Sequence, residues 1–412
     1  MIKSLGRYFK FFTHTILDVN SRKLVVHDFQ RYYFDKKKVN HQTAYPWEWK
    51  NYHESDKEKA LEKAIAWLLY AQESMVDEGF GSYHLLNGWS SSYVETTGYI
   101  IPTLLQYGIL KNNSDIIRKA LAAADWLITV QKESGGWQGE CIDDNRAEVV
   151  FNSGQVIRGL YAAYEYTKET RYLQAAVKGC DWLCAVQEAD GRWVKNAFMQ
   201  VARVYDSYVD APLLKMYELT GNEKYKETAV KNLQWIVEKK QLPNGWLEDC
   251  DNTVKNNHKP IIHTISYTID GLLDSGIMLN DKKLIDAAVK SANQLLSIFN
   301  SNHYLKGRFD REWQGSEYII TTGCAQIALV WMKLYKRTQR NDYFQAAQRM
   351  NNLLLFIQDR ALQEERNTKG AMPGSFPIWG KYESFGFPNW ATKYWADSLM
   401  MEQSFLPLQV SK

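Results

Sequence analysis

Apolar positions along most of this chain recur every three or four residues, the spacing of one helix face, and strand-like alternation is scarce. From Ser55 onward the pattern predicts paired helices. In residues 57–73, Ala60, Leu61, Ile65, Leu68 and Leu69 share one broad face, and the Lys and Glu side chains face outward. A glycine-rich turn follows, and residues 92–107 then predict a more apolar helix ending at Gly108, a C-cap position. The same pair is expected at 115–131 and 148–165, 172–187 and 204–219, 224–238 and 261–275, 282–299 and 316–336, and 341–358 and 389–405. The first helix of each pair is amphipathic, while the second starts polar and runs on apolar. Two such helices cannot hide both apolar faces alone, so neighbours must stack. Residues 388–405 are as apolar as any inner helix, and no polar cap repeat ends the series. A closed ring is therefore expected, with the second helix of each pair inside. The predicted fold is all-α: an (α/α)6 toroid, or six-hairpin double ring, over residues 56–412. Residues 1–55 lack the pattern and are expected to form an N-terminal arm packed on the body, with basic and aromatic residues from Arg22 to Tyr33 and then Pro46-Trp47-Glu48-Trp49.

The helical pattern carries an internal echo. Trp67, Trp126, Trp182 and Trp235 sit near the ends of the amphipathic helices, and a Gln follows the first three at Gln72, Gln131 and Gln187. Glycine turns bearing an aromatic come next, at Gly79-Phe80-Gly81, Gly135-Gly136-Trp137, Gly191-Arg192-Trp193 and Gly245-Trp246. Self-similarity at this interval marks a repeat architecture. Because the echoes lie at the ends of the outer helices, they read as braces between hairpins.

Composition narrows the function classes. With 50 basic and 47 acidic residues the net charge is +3, which gives no reason to expect nucleic acid as a partner. Aromatic residues reach 14 %, which suits either an amphipathic sugar-binding cleft or inter-helix packing. Of the five cysteines, Cys180 and Cys184 lie one helical turn apart and read as reduced and packed; no His or Cys cluster suggests a metal, and no cofactor is expected. The acidic loops around Glu140, Asp143, Asp144, Glu248, Asp249 and Asp251 hold no continuous calcium-loop pattern. The N-terminus has neither a long apolar run nor a cleavage site, so no signal peptide or transmembrane segment is expected, and the expected compartment is the cytoplasm. The oligomeric state is not legible.

The spacing Gln-x-x-x-Gly-x-Trp, met at Gln131, Gly135 and Trp137 and at Gln187, Gly191 and Trp193, resembles the Gln-Trp repeats of triterpene cyclases and related toroids. The stretch from about 56 to 405 also resembles the six-hairpin carbohydrate enzymes: unsaturated glucuronyl hydrolases, other six-hairpin glycosidases, sugar epimerases and toroid polysaccharide lyases. Asp210 to Tyr225, with Leu219-Thr220-Gly221-Asn222, is similar to their inner-helix ends. There is a further resemblance to toroid proteins associated with bacterial exopolysaccharide synthesis. A terpene cyclase or prenyltransferase fits less well, because the inner helices start polar and no Asp-rich run is present.

In such a ring the mouth is lined by the starts of the inner helices. Asp206 and Asp210 share one helix face there, and a close pair would hold one of them protonated; alternatively Asp206 caps the helix and only Asp210 faces inward. Glu95 and Glu317 fall at similar places in the first and fifth pairs and would face across the cavity, unless they cap helices or pair with Arg158 or Arg311. His263 is a candidate base or substrate donor, and Tyr208 is a candidate beside it. Candidate substrate contacts are Trp137, Tyr267, Arg308 and Arg311, with Trp379, Tyr382 and Trp390 from the aromatic Gly/Pro-rich connection 368–391, which should fold over the mouth, a bound chain or a partner. Together these predict an enzyme with a carbohydrate substrate, cleaving a glycosidic bond in an acidic, uronate-containing bacterial polysaccharide or oligosaccharide by hydrolysis or elimination. The alternatives are a uronate or sugar epimerase, and a non-catalytic glycan-binding or scaffold protein of exopolysaccharide synthesis.

Overall fold

Each predicted helical window folds as a helix, and the helices are of two kinds. The computed structural model describes residues 19–33, 37–39, 42–44, 47, 52–358 and 365–405. Thirteen α-helices lie among them. Helix α1 (Val19–Tyr33) belongs to the N-terminal segment. The outer helices are α2 (Glu54–Glu73), α4 (Ser114–Thr129), α6 (Thr170–Ala185), α8 (Glu223–Lys239), α10 (Lys282–Asn302) and α12 (Asn341–Gln358). The inner helices are α3 (Val94–Leu110), α5 (Val150–Thr167), α7 (Ser207–Thr220), α9 (Ile262–Met278), α11 (Thr321–Thr338) and α13 (Asn389–Ser404). Outer helix α4 buries only Ile116, Ala120, Ala123, Ala124 and Leu127, a single stripe at helical spacing. Inner helix α3 is buried from Val94 to Gly108 except at Glu95, Pro102 and Gln106, because it has ring neighbours on both sides.

Each inner helix packs on the next, and α13 returns to α3 and α2, so the double ring is closed. The tight hairpins are phased one helix later than the sequence pairing. Short turns join α3 to α4, α5 to α6, α7 to α8, α9 to α10 and α11 to α12, and these are the heavily packed pairs. The sixth hairpin is built from the two ends of the ring, α13 against α2. The longer connections run from each outer helix to the next inner one and so gather at one end of the ring. That end is the mouth.

The repeated glutamines hold it in register. Gln72 Nε2 donates to the Glu78 carbonyl at 2.9 Å and to Lys119 O, in α4, at 3.0 Å. Gln131 repeats this with Gly135 O (2.8 Å) and Ala175 O in α6 (2.9 Å), and Gln187 with Gly191 O (3.0 Å) and Thr228 O in α8 (2.8 Å). Gln241 reaches Ala287 O in α10 at 2.8 Å. Gln358 closes the circle through Gly370 O at 2.8 Å and Ala60 O in α2 at 3.2 Å. Each amide has two N–H donors, so one residue ties its own loop to the neighbouring outer helix. The loop glycines must approach that helix closely. Gly135, Gly191 and Gly370 have φ of +101°, +87° and +86°, and a Cβ at any of them would press into the backbone of Lys178, Lys231 or Lys63.

The N-terminal segment lies against the ring where it is described. Leu24 is buried, Asp28 Oδ2 accepts from Ile378 N at 3.0 Å, and Trp47 Nε1 donates to His303 O at 3.1 Å. Arg31 lies 3.5 Å above the Phe356 ring. Among the described residues no helix is long and apolar enough to cross a membrane.

Candidate active site

Helix chemistry decides what reaches the mouth. Outer helices α4, α8 and α10 begin on capping side chains, Asn113, Asn222 and Asp281. None of the inner helices has a side-chain cap. Their N-termini therefore direct partial positive charge at the ring's open end. A cleft of about 290 Å³ opens there, between the first turns of α3, α5, α9 and α13, the turn before α7, and the loops above them.

Glu95, Tyr93, Asn152, His263, Tyr267 and Trp390 line it, with Tyr382 and Glu383 from the long connection and Glu140 and Phe198 from two other loops. Glu95 is the second residue of α3. Burial pushes its carboxyl from 4.5 up to about 8, offset only in part by a hydrogen bond from Tyr93. It is therefore a protonated acid at neutral pH. His263, the second residue of α9, moves the other way: burial pushes its imidazole from 6.5 down to about 4. Its Nδ1 lies 2.8 Å from Gln326 Oε1. Facing that acceptor, Nδ1 carries the hydrogen and Nε2 is left as an acceptor on a ring that lines the cleft. Asn152 lines the cleft, and among the described residues its buried Nδ2 has no hydrogen-bond partner.

Beneath the cleft lies an aromatic floor. His263 meets Tyr267 at 4.5 Å between ring centroids, Tyr267 meets Tyr208 at 4.7 Å and Phe151 at 5.0 Å, and Tyr99 meets Tyr394 at 5.6 Å. Arg158 lies 4.3 Å from the Tyr208 ring. About 10 Å deeper along α9, by the rise of a helix, the bore is closed by ion pairs. Lys333 bonds Asp270 at 2.6 Å and Asp274 at 2.8 Å, and Lys393 bonds Asp397 at 2.7 Å. The cleft is thus blind.

The structure brings together Glu95, His263, Tyr267, Tyr382 and Trp390, with Tyr208 in the floor. Trp390 Nε1 donates to the Tyr382 hydroxyl at 2.9 Å, so the connection 368–391 folds over the ring's own mouth. The other predicted residues lie elsewhere. Asp206 is buried beside Arg203 and is pushed up to about 8 by burial, but it does not line the cleft, and its side chain does not cap α7. Asp210 faces the outer ring, where its Oδ2 accepts from Asn232 Nδ2 at 2.7 Å. Glu317 does not face Glu95: α11 starts only at Thr321, and Glu317 sits before it at φ +66°, between Lys381 at 3.1 Å and Arg308 at 3.5 Å. Arg308 is held by Asp251 and the Lys259 carbonyl, both at 2.7 Å. Arg311 is exposed beside a loop in which its carbonyl accepts from Asn244 at 2.8 Å. Trp137 is fully buried, with its Nε1 donating to Leu127 O at 2.7 Å, because the brace repeat uses it as core. Trp379 packs 6.5 Å from Phe29 of α1.

Sequence reasoning passed over Gln326, Phe151, Phe198 and Tyr99. Gln326 sits in the second turn of α11 beyond the polar start, where a lone Gln in an apolar helix was the available signal. The five cysteines are free thiols, and among the described residues no group of three His, Cys, Asp or Glu side chains is placed to hold a metal.

Comparison with known proteins places the fold. Residues 43–209, less than half the chain, match the squalene-hopene cyclase C-terminal domain family, a stretch that contains the first three Gln braces. No curated protein sequence matches the chain. Among solved structures, an unsaturated glucuronyl hydrolase specific for heparin superposes with a TM-score of 0.66 at 15 % identity, covering 85 % of this chain and 98 % of its own. A sugar epimerase from a ruminal bacterium gives 0.66 at 12 % identity, covering 86 % and 100 %. The cellobiose 2-epimerase of Spirochaeta thermophila gives 0.64 at 12 % identity, covering 86 % and 97 %. The likeness is one of fold: an all-α toroid related to those of carbohydrate-active enzymes.

Proposed function

We propose that the protein is a glycoside hydrolase that removes the terminal sugar of an acidic bacterial oligosaccharide or polysaccharide. The observation that carries this reading is the opposite tuning of two groups in one aromatic cleft: Glu95 held protonated and His263 held neutral. Glu95 gives its proton to the glycosidic oxygen as the bond to the anomeric carbon breaks. A water attacks that carbon and passes its proton to His263 Nε2. Each group then returns to its starting state by proton exchange with solvent. An imidazole at about 4 is as basic as an ordinary carboxylate, the usual base in such reactions. The Tyr382 and Trp390 rings suit the apolar face of a sugar, and Asn152 Nδ2 suits a ring hydroxyl. The blind floor supports attack at a chain end, since a polymer cannot thread through the ring.

Hydrolysis is preferred to elimination on one further observation. Elimination beside a uronate is best served by a cation that neutralises the carboxylate, and among the described residues no Lys or Arg lines this cleft, where only the side-chain amides of Asn152 and Asn252 could take that part. Epimerisation is the second reading, favoured by the same neutral imidazole, which could take a proton from carbon. Product analysis on acidic bacterial polysaccharides and their oligosaccharides separates these. Hydrolysis gives new reducing ends without ultraviolet absorbance. An absorbing double bond at the new end, or solvent deuterium in uncleaved sugar, would refute hydrolysis in favour of elimination or epimerisation respectively.

A further inference from the structure

The cleft has a lateral extension that its own chemistry does not use. A groove of about 410 Å³ runs beside it between residues 139–149 and 195–200. Glu140 and Phe198 line both spaces, so the two adjoin. The groove is otherwise unlike the cleft. Val149, Ala197, Phe198 and Met199 give it an apolar bed, and Met199 is 57 % exposed, one of the few large apolar side chains left so open. Its rim carries Arg146 and Lys195 beside two carboxylates, Glu140, which pairs with Arg146, and Glu148, which accepts from Ser134 Oγ at 2.7 Å, whereas no Lys or Arg stands among the described residues of the cleft. Among the described residues Lys195 makes no ion pair, and Arg146 pairs with Glu140 alone, at 3.1 Å across a solvent-exposed pair. An exposed pair of this kind is weak and exchanges readily for a ligand carboxylate. Both loops are also held in unusual backbone: Glu140, Asn145, Met199 and Gln200 have φ of +59°, +44°, +59° and +55° without being glycine. Such conformations persist where surroundings over-determine them, and they gather at ligand clamps.

Resting on the hydrolase reading above, we propose that these two loops form a second saccharide subsite, which takes the acidic sugar on the leaving-group side of the scissile bond. Its apolar face lies on Phe198 and Met199, and its carboxylate meets Lys195 and Arg146. The terminal sugar in the cleft is then a neutral one. This divides the substrate chemically: a neutral end in a cleft lined by carboxyl groups, an imidazole and aromatic rings, and a charged neighbour held outside it by Lys195 and Arg146.

The test is calorimetric titration of the full chain carrying Glu95→Gln, which stops turnover. The probes are short oligosaccharides from acidic bacterial polysaccharides, each paired with its carboxyl-reduced counterpart. The acidic forms should bind more tightly than the reduced ones, and added salt should narrow the gap. Adding Arg146→Ala and Lys195→Ala should weaken the acidic forms by about tenfold and leave the reduced forms unchanged. Phe198→Ala should weaken both forms of an oligosaccharide while sparing a single neutral sugar. Equal loss for acidic and reduced forms in the double variant, or no loss for either, overturns the subsite. That failure is distinct from failure of the hydrolase reading, which falls if Glu95→Gln alone keeps full turnover. If none of the oligosaccharides binds, both fall.

Discussion

Replacing Glu95 by Gln should abolish turnover and make the protein more stable, and the stability gain should depend on pH in a defined direction. The carboxyl titrates at 4.5 when unperturbed and at about 8 in the fold. Between those values the folded chain holds a proton that the unfolded chain has released. Stability from this group is therefore full below pH 4.5, falls as pH rises, and is lost by about pH 8. At 1.36 kcal/mol per unit, the three units from 4.5 to pH 7.5 give an upper limit of about 4 kcal/mol. The group stands at a partly open cleft, and the N-terminus of α3 works against the shift by up to about 1 kcal/mol, so about 2 kcal/mol is the expected cost. With an unfolding entropy near 2.1 cal/mol/K per residue over 412 residues, that corresponds to roughly 2 °C. Gln is uncharged at every pH and escapes the penalty. Paired calorimetric scans from pH 4.5 to 8.5 should show the two melting temperatures together at the acid end and the variant higher at the alkaline end. Loss of turnover should be at least about a hundredfold, the usual worth of a general acid. A constant offset across pH, or a variant less stable at pH 8, would refute the claim that burial holds Glu95 protonated.

Two further substitutions test neighbouring steps. Gln326→Glu places a carboxylate against His263 Nδ1, which should raise the imidazole from about 4 and carry the acid limb of the pH–rate profile upward, while the alkaline limb set by Glu95 near 8 stays in place; an unmoved acid limb in kcat/KM would exclude His263 as the base. Gly370→Ala should cost about 3 kcal/mol in chemical denaturation, because its Cβ meets the Lys63 carbonyl at the ring's closing seam, whereas Gly221→Ala, also at positive φ but with open space around it, should cost only about 1 kcal/mol.

The ring was legible because it is made of repetition. Apolar stripes at helical spacing located all twelve toroid helices, and Gln72, Gln131 and Gln187 announced the brace before its bonds were visible. Gln241 and Gln358 do the same work but lack the Trp at the same spacing, so they escaped notice. The phase of the hairpins is not legible in the pattern, for a physical reason. Periodicity marks each helix but not which neighbour it packs on, and the pairing of α13 with α2 joins the two ends of the ring sequence. The site was half legible. Glu95, His263 and Trp390 line the cleft, and polar or aromatic residues at the start of an apolar helix stand out in the sequence. Asp206 and Asp210 look alike by the same criterion, yet Asp206 is buried beside Arg203 and Asp210 turns to Asn232 of the outer ring. Glu317 lies away from the cleft because its helix begins five residues later than the polar pattern suggests. Rotation about a helix axis and the exact first turn are set by tertiary contacts, which a single sequence does not display.

Burial acts in opposite senses on an acid and a base, and here it leaves both uncharged. The fixed charges of the ring interior lie deeper, and they balance three against three: Lys333 on Asp270 and Asp274, Lys393 on Asp397, and Arg158 under the influence of Asp274. A strong net field from that layer would drag Glu95 or His263 away from neutrality, so the pairing beneath the tyrosine floor protects the tuning above it. The uncapped inner-helix N-termini add weak positive potential at the mouth, and under the proposed hydrolase mechanism that is the sign needed once Glu95 gives up its proton. The arrangement therefore favours the charge distribution of a proton-transfer transition state over that of the resting cleft. It does so with backbone dipoles, which are already oriented when the ring closes and need no rearrangement as the proton moves.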